Sequence, residues 1–342
     1  MPPVRFALIG YGAWGSHHAR AITSVADSVL VAICDRSEEN RSKAAEAHPS
    51  ARIYGDYRQM LAAEDLDAVD VALPTHAHYE VGREVLQAGH HLLMEKPMAL
   101  DLAQCDELNS LAASRGKMIA VGHEFRLSSL WGKVKQLLDA GAIGDPLYIL
   151  IELWRNPYRL GSEGWRYDIK RVGNWILEEP IHFFDLARWY FGEVGEPVSV
   201  FAQANAKRAD HPELQDNFTA MLAFPRGRYA VVAQTLAGWE HHQVVKITGS
   251  EGALWAQWSG ALDRTFHPTY WLKLMRGETL EEVPIEKPTG EVYELVDQME
   301  MFVRCVRGSG RPAASGEDGR WAVAMCLKAQ ESVDQGQPVP LR

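Results

Sequence analysis

The chain has 342 residues, enough for two domains that each bury a hydrophobic core. Its 35 Lys and Arg residues against 45 Asp and Glu residues give a net charge of −10, which argues against nucleic acid or an anionic membrane surface as a partner. The four cysteines are far apart and form no CxxC pair, and no apolar run is long enough to span a membrane. We therefore expect a cytoplasmic protein with reduced thiols and, since a predicted strand starts at Val4, no signal peptide.

The first structural signal is an apolar run that leads into a glycine-rich turn, Gly10-x-Gly12-x-x-Gly15, followed by a helix-compatible run from Ala13 to Ser24. This is the dinucleotide-binding fingerprint in its required context, with a strand before it and a helix after it. Gly10 permits the sharp turn, Gly12 lets the pyrophosphate approach the backbone, and Gly15 lets the helix pack closely on the strand. The predicted cofactor contacts of this turn are Gly10, Tyr11, Gly12, Ala13, Trp14 and Gly15.

A second apolar run, Val29 to Cys34, predicts the next buried parallel strand, and Asp35 lies at its end. Asp35 follows Gly15 by about 20 residues, a separation at which an acidic side chain can accept hydrogen bonds from the ribose of NAD. The alternative is an ordinary surface Asp in a turn. Arg36 leaves NADP open as the cofactor, because a guanidinium can pair with its 2′-phosphate.

Strand-like and helix-like runs continue to alternate up to residue 121. This alternation predicts a doubly wound parallel sheet with helices on both faces, in a first domain of residues 1–123. The further predicted strands are Arg52–Tyr54, Ala68–Leu73, His91–Met94 and Met118–Val121, and the predicted helices are Glu38–Ala47, Tyr57–Ala63, His78–Ala88 and Asp101–Ser114.

From residue 124 the sequence becomes rich in strands that are mostly not separated by helices. We expect residues 124–342 to form a second α/β domain, with a mixed or antiparallel sheet on which the helix Pro180–Phe191 lies. The predicted strands are Leu147–Trp154, Val198–Ala206, Asn217–Phe224, Tyr229–Leu236 and Gln243–Thr248, with hairpin signals at 224–229 and 249–252, a bridging helix at Leu130–Asp139 and closing helices at Glu291–Val306 and Trp321–Val333.

Ligands of an open α/β sheet bind beyond the carboxyl ends of its strands, so the segments that follow the strands form the candidate site. Besides the glycine turn these are Leu73–His78, Glu95–Pro97 and Gly122–Arg126. In the second of them, Pro97 forces Lys96 into an extended conformation and so fixes its direction. The Lys96 ammonium could then donate to a reacting oxygen or help to relay a proton. The alternative is a surface lysine at a strand end.

Pro180 suits the first position of a helix, which places His182 in the first helical turn. The positive end of the helix dipole disfavours an imidazolium, so we expect a neutral His182 that can accept a proton. A nearby carboxylate, Glu178 or alternatively Glu179, would hold the ring tautomer and offset the positive charge. The competing interpretation is a core histidine capped by an acid of the first turn.

The 13 histidines include adjacent pairs such as His241 and His242, but none belongs to an HExxH motif or to a Cys/His set with zinc spacing. We therefore predict no required metal ion. No GxSxG elbow is present to indicate a serine nucleophile.

Together, these segments resemble the glucose–fructose oxidoreductase/inositol dehydrogenase family (Gfo/Idh/MocA) over nearly the whole chain. The resemblance implies a Rossmann domain with tightly held NAD or NADP, followed by a C-terminal α/β domain whose large open sheet often makes dimer or tetramer contacts. The motifs that carry it are Gly10–Gly15, Pro74–His78, Glu95–Pro97, Phe125–Arg126, Gly164–Asp168, His182–Asp185 and Ile247–Gly252.

The resemblance also implies residue roles. Lys96 matches the motif lysine, and His182 matches the histidine that acts as acid and base. Glu178 stands where the family usually has Asp, and the family's usual Asp-x-Gly is replaced here by Glu178-Glu179-Pro180, which changes the size and charge of the pocket. The cofactor contacts predicted outside the glycine turn are Asp35, Arg36, Pro74, Thr75, His78, Glu95, Lys96, Trp165 and Arg166.

We therefore expect an NAD-dependent dehydrogenase or reductase, with NADP possible, that acts on a ring hydroxyl or ketone of a sugar, sugar derivative or cyclitol. One alternative is a redox-neutral enzyme that oxidises a glycoside, eliminates or hydrolyses, and reduces the product with the same bound cofactor. The other is a non-catalytic sensor of NAD and a sugar. The expected assembly is a homodimer or homotetramer formed through the C-terminal sheet. The predicted substrate contacts are Lys96, Glu124, Trp154, Glu179 and His182.

Overall fold

A computed structural model of the chain describes residues 2–236, 238, 240–260 and 265–341. The chain divides into two compact units. The first unit extends to Glu124 and includes Leu295–Arg320, and the second comprises Phe125–Glu294 and the chain from Trp321 onward. The sequence-based division assigned everything after residue 123 to the second domain, so it differs from the structure over Leu295–Arg320. Part of that segment packs on the first sheet, where Phe302 contacts Phe6 with ring centroids 6.0 Å apart.

The first unit is built on a parallel sheet of six strands in the order β3-β2-β1-β4-β5-β6. The strand order reverses between β1 and β4, and ligands of such sheets bind outside the carboxyl ends of the strands at this point. The predicted doubly wound sheet is confirmed. Its strands are β1 (Val4–Ile9), β2 (Ser28–Cys34), β3 (Arg52–Tyr54), β4 (Ala68–Val71), β5 (His91–Met94) and β6 (Ile119–Val121).

The second unit contains a sheet whose described strands run in the order β14-β13-β12-β11-β7-β10-β9-β8-β15. The pair of β7 and β10 is parallel, and the other neighbouring pairs are antiparallel, which confirms the predicted mostly antiparallel sheet. The strands are β7 (Pro146–Trp154), β8 (Ser199–Asn205), β9 (Asn217–Ala223), β10 (Tyr229–Thr235), β11 (His241–Gly249), β12 (Gly252–Gly260), β13 (Thr269–Arg276), β14 (Thr279–Val283) and β15 (Val339–Pro340).

Strands β12 to β15 were not predicted from the sequence. The hairpin signal at 249–252 does connect β11 to β12, so the turn was recognised and the strand after it was missed. At the edge, β14 has the sequence TLEEV and is almost entirely exposed. A strand without a buried face carries no alternation of apolar and polar residues, and such strands escape detection by pattern.

Ten α-helices lie in the described part of the chain, and none of them is long and apolar enough to cross a membrane. The helix starts follow from capping chemistry: the Asp101 carboxylate accepts the backbone N–H of Gln104 at 2.9 Å, and Pro180 occupies the first turn of its helix as predicted. The helices are α1 (Gly15–Ser24), α2 (Glu38–Ala47), α3 (Tyr57–Ala63), α4 (His78–Gln87), α5 (Leu102–Ser114), α6 (Trp131–Asp139), α7 (Ile169–Val172), α8 (Pro180–Phe191), α9 (Glu291–Val306) and α10 (Gly316–Gln335).

Helix α8 covers one face of the second sheet, where it packs on β7 and β10. Ile149, Ile151 and Leu153 of β7 are buried on this face, whereas the alternate residues of β7 are partly or largely exposed. Because side chains alternate across a strand, the two faces of this sheet have different roles. One forms the core under α8, and the other is an accessible surface.

Candidate active site

The glycine turn has the geometry that a bound pyrophosphate requires. Gly10 has a φ of +99°, and a Cβ there would lie 2.4 Å from the carbonyl oxygen of Ala72. A Cβ on Gly15 would lie 1.9 Å from the carbonyl oxygen of Gly10. Neither position therefore tolerates a side chain. A Cβ on Gly12 would meet no protein atom within 4 Å, so this glycine leaves open space next to the start of α1. A helix N-terminus beside open space fits a phosphate.

Asp35 is held against the glycine turn at the end of β2. Its carboxylate accepts the backbone N–H of Tyr11 at 2.7 Å, the backbone N–H of Ser37 at 2.8 Å and the side-chain amide of Asn40 at 3.1 Å. These bonds fix the carboxylate beside the predicted cofactor turn, as a ribose-binding acid requires. Arg36 is exposed at the start of the following loop.

The segment after β4 contains Pro74, Thr75 and His78. Thr75 and His78 are buried, and the two ring nitrogens of His78 lie 2.7 Å from the carbonyl oxygens of Leu73 and Pro97. Burial lowers the pKa of the His78 imidazole, against the opposing effect of the two carbonyl acceptors. The ring of His78 thus joins this segment to the Lys96–Pro97 segment.

Glu95 at the end of β5 belongs to a buried ionic chain that the sequence analysis missed. The His18 ring lies 2.7 Å from Asp70 Oδ2 and 3.2 Å from Glu95 Oε1. Burial disfavours the charged imidazole, but Asp70 and Glu95 outweigh burial and raise the pKa of His18 to about 10. A signal for it existed in the sequence: Asp70 is a charged residue within the apolar strand AVDV, and a buried charge needs a partner. Lys96 follows directly and is half-buried.

In the second unit, His182 lies in the first turn of α8, as predicted, and is 4 % exposed. Its ring stacks on Phe125, with centroids 4.6 Å apart and planes inclined by 28°. Phe125 precedes Arg126, whose guanidinium forms two hydrogen bonds of 2.8 and 2.6 Å with the carboxylate of Asp185. This buried bidentate pair anchors the 125–126 segment to α8 and so fixes the surface on which the His182 ring stacks.

Glu178 and Arg166, which the sequence predicted at the site, form an ion pair in which Glu178 is buried and Arg166 is partly exposed. The guanidinium of Arg166 also lies over the ring of Trp165, 4.6 Å from its centroid. Trp165 is itself 7 % exposed and packs in an apolar cluster with Tyr158 and Trp175. The Trp165 ring therefore packs against the Arg166 guanidinium and helps to hold it in its ion pair with Glu178.

Glu179, the residue before α8, forms an ion pair with Arg155, and its other carboxylate oxygen lies 3.1 Å from His241 Nε2. Glu179, His241 and Glu291 are close enough together to hold a metal ion, and they are the one such group among the residues that the structure describes. Because the Arg155 guanidinium already compensates Glu179, this group does not need a cation for charge balance. That no metal is required stays a prediction.

The second unit contains a cavity that borders on both groups of residues. It is lined by Phe125 from the His182 stack and by Gln243 and Glu291 from the surroundings of His241. Glu294 also lines it, and burial raises the pKa of its carboxyl group to about 7, against hydrogen bonds from Gly290 and Thr289.

The structure places one predicted substrate contact, Trp154, on the other face of the second sheet. Trp154 is 44 % exposed and stacks on His242, with ring centroids 6.1 Å apart. It therefore lies on the sheet face opposite to α8 and His182, because Leu153 next to it is buried under α8 and side chains alternate along β7. On the α8 side of this strand end the structure has Arg155. Glu124 is buried at the end of the first unit.

The parallel sheet with its switch point, the space at Gly12 and the fixed carboxylate of Asp35 together define a dinucleotide-binding protein. Residues 4–123 match the oxidoreductase family with an NAD-binding Rossmann fold, and residues 131–255 match the GFO/IDH/MocA C-terminal domain. The protein is thus an NAD-binding oxidoreductase, and its enzymatic relatives argue against the sensor interpretation. The chain belongs to the Gfo/Idh/MocA family.

Similar proteins span the whole chain. The myo-inositol 2-dehydrogenase of Thermotoga maritima is 26 % identical over 99 % of this chain and 98 % of its own length. The D-apiose dehydrogenase of Paraburkholderia graminis is 28 % identical over 98 % of this chain and 89 % of its own. Among solved structures, a putative myo-inositol dehydrogenase from Sinorhizobium meliloti is 25 % identical, with a TM-score of 0.82 over 99 % of this chain and all of its own. An Agrobacterium radiobacter oxidoreductase in complex with NAD+ shares the fold at 19 % identity, with a TM-score of 0.86 over 99 % of this chain and 98 % of its own.

The glycine geometry predicts different effects at two neighbouring positions. Gly15→Ala should lower the melting temperature, because its Cβ would collide with the Gly10 carbonyl. Gly12→Ala should keep the melting temperature and weaken NAD+ binding by about tenfold or more, since its Cβ would occupy the space for the pyrophosphate. Thermal unfolding and calorimetric NAD+ titration measure the two effects. Unchanged NAD+ affinity in Gly12→Ala would contradict this position for the pyrophosphate.

The Glu179–His241–Glu291 group yields a prediction about cations. Millimolar Mg²⁺, Mn²⁺ or Zn²⁺ should shift the melting temperature of the wild type no more than that of His241→Ala, because Arg155 repels a second positive charge at Glu179. A shift that is seen with the wild type and lost in His241→Ala would show that the group binds the ion.

Proposed function

We propose that the protein is an NAD-dependent dehydrogenase or reductase of a ring hydroxyl or ketone in a sugar, sugar derivative or cyclitol. The observation that carries the proposal is the setting of His182. Its ring stacks on Phe125 in the first turn of α8. The two residues directly before this helix, Glu178 and Glu179, are buried carboxylates that each have a cationic partner. A histidine with a fixed ring is suited to proton transfer. The inositol and apiose dehydrogenases among its relatives support this substrate class.

In the proposed reaction His182 accepts the proton of the substrate hydroxyl group, and the bound nicotinamide supplies the hydride acceptor. The Lys96 ammonium donates a hydrogen bond to the same hydroxyl oxygen and so orients and polarises it. Glu178 stabilises the imidazolium that forms on His182. In the reductive direction His182 returns the proton to the carbonyl oxygen of the ketone.

The charges of the second unit support an uncharged substrate. Arg126, Arg155 and Arg166 are each ion-paired with a carboxylate, those of Asp185, Glu179 and Glu178 respectively. A phosphorylated sugar or a uronate that paired with one of these three guanidinium groups would have to displace its buried carboxylate, and stranding a buried charge is costly. A polyol substrate needs hydrogen bonds instead, which paired carboxylates and guanidinium groups can still supply.

The redox-neutral alternative needs a second acid or base beyond His182, and Glu179 next to His241 is the candidate. The ion pair with Arg155 favours the ionised form of Glu179 and restrains its position, which suits a base better than an acid that protonates a leaving group. This observation favours simple hydride transfer.

For the assembly we propose a homodimer or homotetramer that forms through the face of the second sheet away from α8. Met221, Tyr229, Trp255 and Met275 are each at least 40 % exposed on this face. Strand pairing supports their common orientation, since Tyr229 pairs with Tyr148 and Met221 with Val231. Large exposed apolar areas of this kind usually mark contact surfaces.

The proposed chemistry makes Lys96 more important for turnover than for cofactor binding. With NAD+ and a panel of sugars, cyclitols and uronates, the wild type should oxidise an uncharged polyol. Lys96→Ala and His182→Ala should each lower kcat by about a hundredfold or more, with the Kd for NAD+ changed by less than about threefold. Absorbance of reduced nicotinamide and calorimetry measure the two quantities.

Lys43→Ala, at an exposed lysine of α2, is the matched control and should retain full activity. If Lys96→Ala lost turnover and NAD+ affinity to the same degree, Lys96 would be a cofactor-binding residue. Should the wild type turn over a glycoside with no net change in nicotinamide absorbance, the redox-neutral alternative would hold.

For the assembly, Met221→Glu should yield a smaller species than the wild type in sedimentation velocity, because it places a charge on the proposed contact face. Leu160→Glu is the control, since Leu160 is 63 % exposed in a loop outside the sheet. A wild type that sediments as a monomer would contradict the proposed assembly.

A further inference from the structure

Three ionisable side chains from three different elements meet in the interior of the first unit. His18 comes from α1, Asp70 from β4 and Glu95 from the end of β5. His18 and Asp70 are fully buried and Glu95 is 6 % exposed. The ring nitrogens of His18 lie 2.7 Å from Asp70 Oδ2 and 3.2 Å from Glu95 Oε1, so the imidazole bridges the two carboxylates.

The charges of the ionic chain formed by His18, Asp70 and Glu95 follow from its geometry. Two carboxylates on opposite sides of one imidazole favour its protonated form, and they outweigh the cost of burial, so the pKa of His18 rises to about 10. Burial alone would raise the pKa of Glu95, but His18 and then Lys96 overcome that effect and lower it. Glu95 is therefore an ionised carboxylate that two cations stabilise, the buried His18 imidazolium and the half-buried Lys96 ammonium.

The surroundings keep Glu95 in place. The side chain of Trp14, from the glycine turn, donates a hydrogen bond to its carboxylate. A Cβ on Gly122 would lie 2.7 Å from Glu95 Oε1, so only a glycine there leaves room for the carboxylate. The ionic chain thus connects the glycine turn, the interior of the first unit and Glu95, the residue directly before Lys96.

We propose that Asp70 and His18 are positioning residues for Lys96. The buried imidazolium compensates Glu95 from the inside, so that the Lys96 ammonium is not drawn fully onto Glu95 and can act on the substrate oxygen. Asp70 keeps His18 charged. Through His18 and then Glu95, it thereby determines how strongly the Glu95 carboxylate holds the Lys96 ammonium. The functional consequence rests on the role of Lys96 proposed above, but the charge coupling itself is a property of the protein without substrate.

The decisive variant is Asp70→Asn, which keeps the size of the side chain and removes the charge that keeps His18 protonated. Glu64→Gln is the matched control, because Glu64 is a similarly buried carboxylate of the same unit that pairs with Arg52. The readout is the rate at which acetic anhydride modifies Lys96 at pH 8, measured by mass spectrometry relative to Lys43 and Lys117 in the same sample.

In Asp70→Asn the rate at Lys96 should fall by about threefold or more, because an uncompensated Glu95 stabilises the ammonium form of its neighbour. In Glu64→Gln it should stay at the wild-type value. An unchanged rate at Lys96 in Asp70→Asn overturns the proposal. No substrate is involved, so this result is independent of whether the proposed dehydrogenase reaction is right.

The pH dependence of stability tests the charge of His18 directly. Asp70 and Glu95 are the charged groups that face the ring, and Lys96 lies beyond Glu95. The pKa of His18 is about 10 in the folded protein, against an ordinary value of 6.5. The stabilisation that charged His18 gives the folded state is therefore complete below pH 6.5 and is lost as the pH rises through 10. The melting temperature of the wild type should therefore exceed that of His18→Gln most at pH 6, and the difference should shrink towards pH 10. A difference that stays constant overturns the proposal.

Catalysis provides the third readout. In Asp70→Asn the pKa of His18 should fall below its wild-type value of about 10, so kcat should decline at a lower pH than in the wild type and Glu64→Gln. The NAD+ affinity should follow the wild type within about threefold. If labelling of Lys96 responds to Asp70→Asn but the pH profile of kcat does not, the ionic chain has a structural role only, and the proposed positioning role is wrong. The dehydrogenase function is tested separately, by the activity of the wild type.

Discussion

Compensation of buried charge is the constraint on which both units depend. Glu95 is balanced by His18, Glu178 by Arg166 and Glu179 by Arg155. An isolated buried carboxylate would be protonated or would expel the segment that carries it, so each of these pairs determines where its backbone segment can lie. The polar residues of the candidate site are thus held by electrostatics within an apolar framework, and loops alone do not determine their positions.

Most of the fold could be predicted from the sequence, because the patterns that indicate it are local. Glycine spacing, the alternation of strands and helices, and Pro180 at a helix start each depend on residues close together in the chain, and all of them predicted the observed elements. Among the strands that were missed, β14 lacks a buried face, so its pairing depends on the neighbouring strand and leaves little pattern of its own.

The candidate site could be predicted from the sequence only in part. Sequence motifs predicted Asp35, Lys96, Glu178 and His182 as site residues, but the pairing partners of the carboxylates come from distant positions, as Arg155 does for Glu179. Long-range partners cannot be deduced from spacing. Trp154 illustrates a different limit: the strand was predicted correctly, but the face on which the side chain lies depends on which face α8 covers.

The parallel pairing of β7 and β10 has a consequence for how the second sheet is assembled. β7 occupies the middle of the sheet, and its partners Thr235 in β10 and His242 in β11 follow Trp154 only after a long intervening chain. Closing such a long loop costs entropy before any contact offsets it, so topologies with distant pairings fold slowly. Synthesis of β10 and β11 must therefore precede completion of the sheet, and until then the apolar side of β7 that α8 covers lacks its flanking strands.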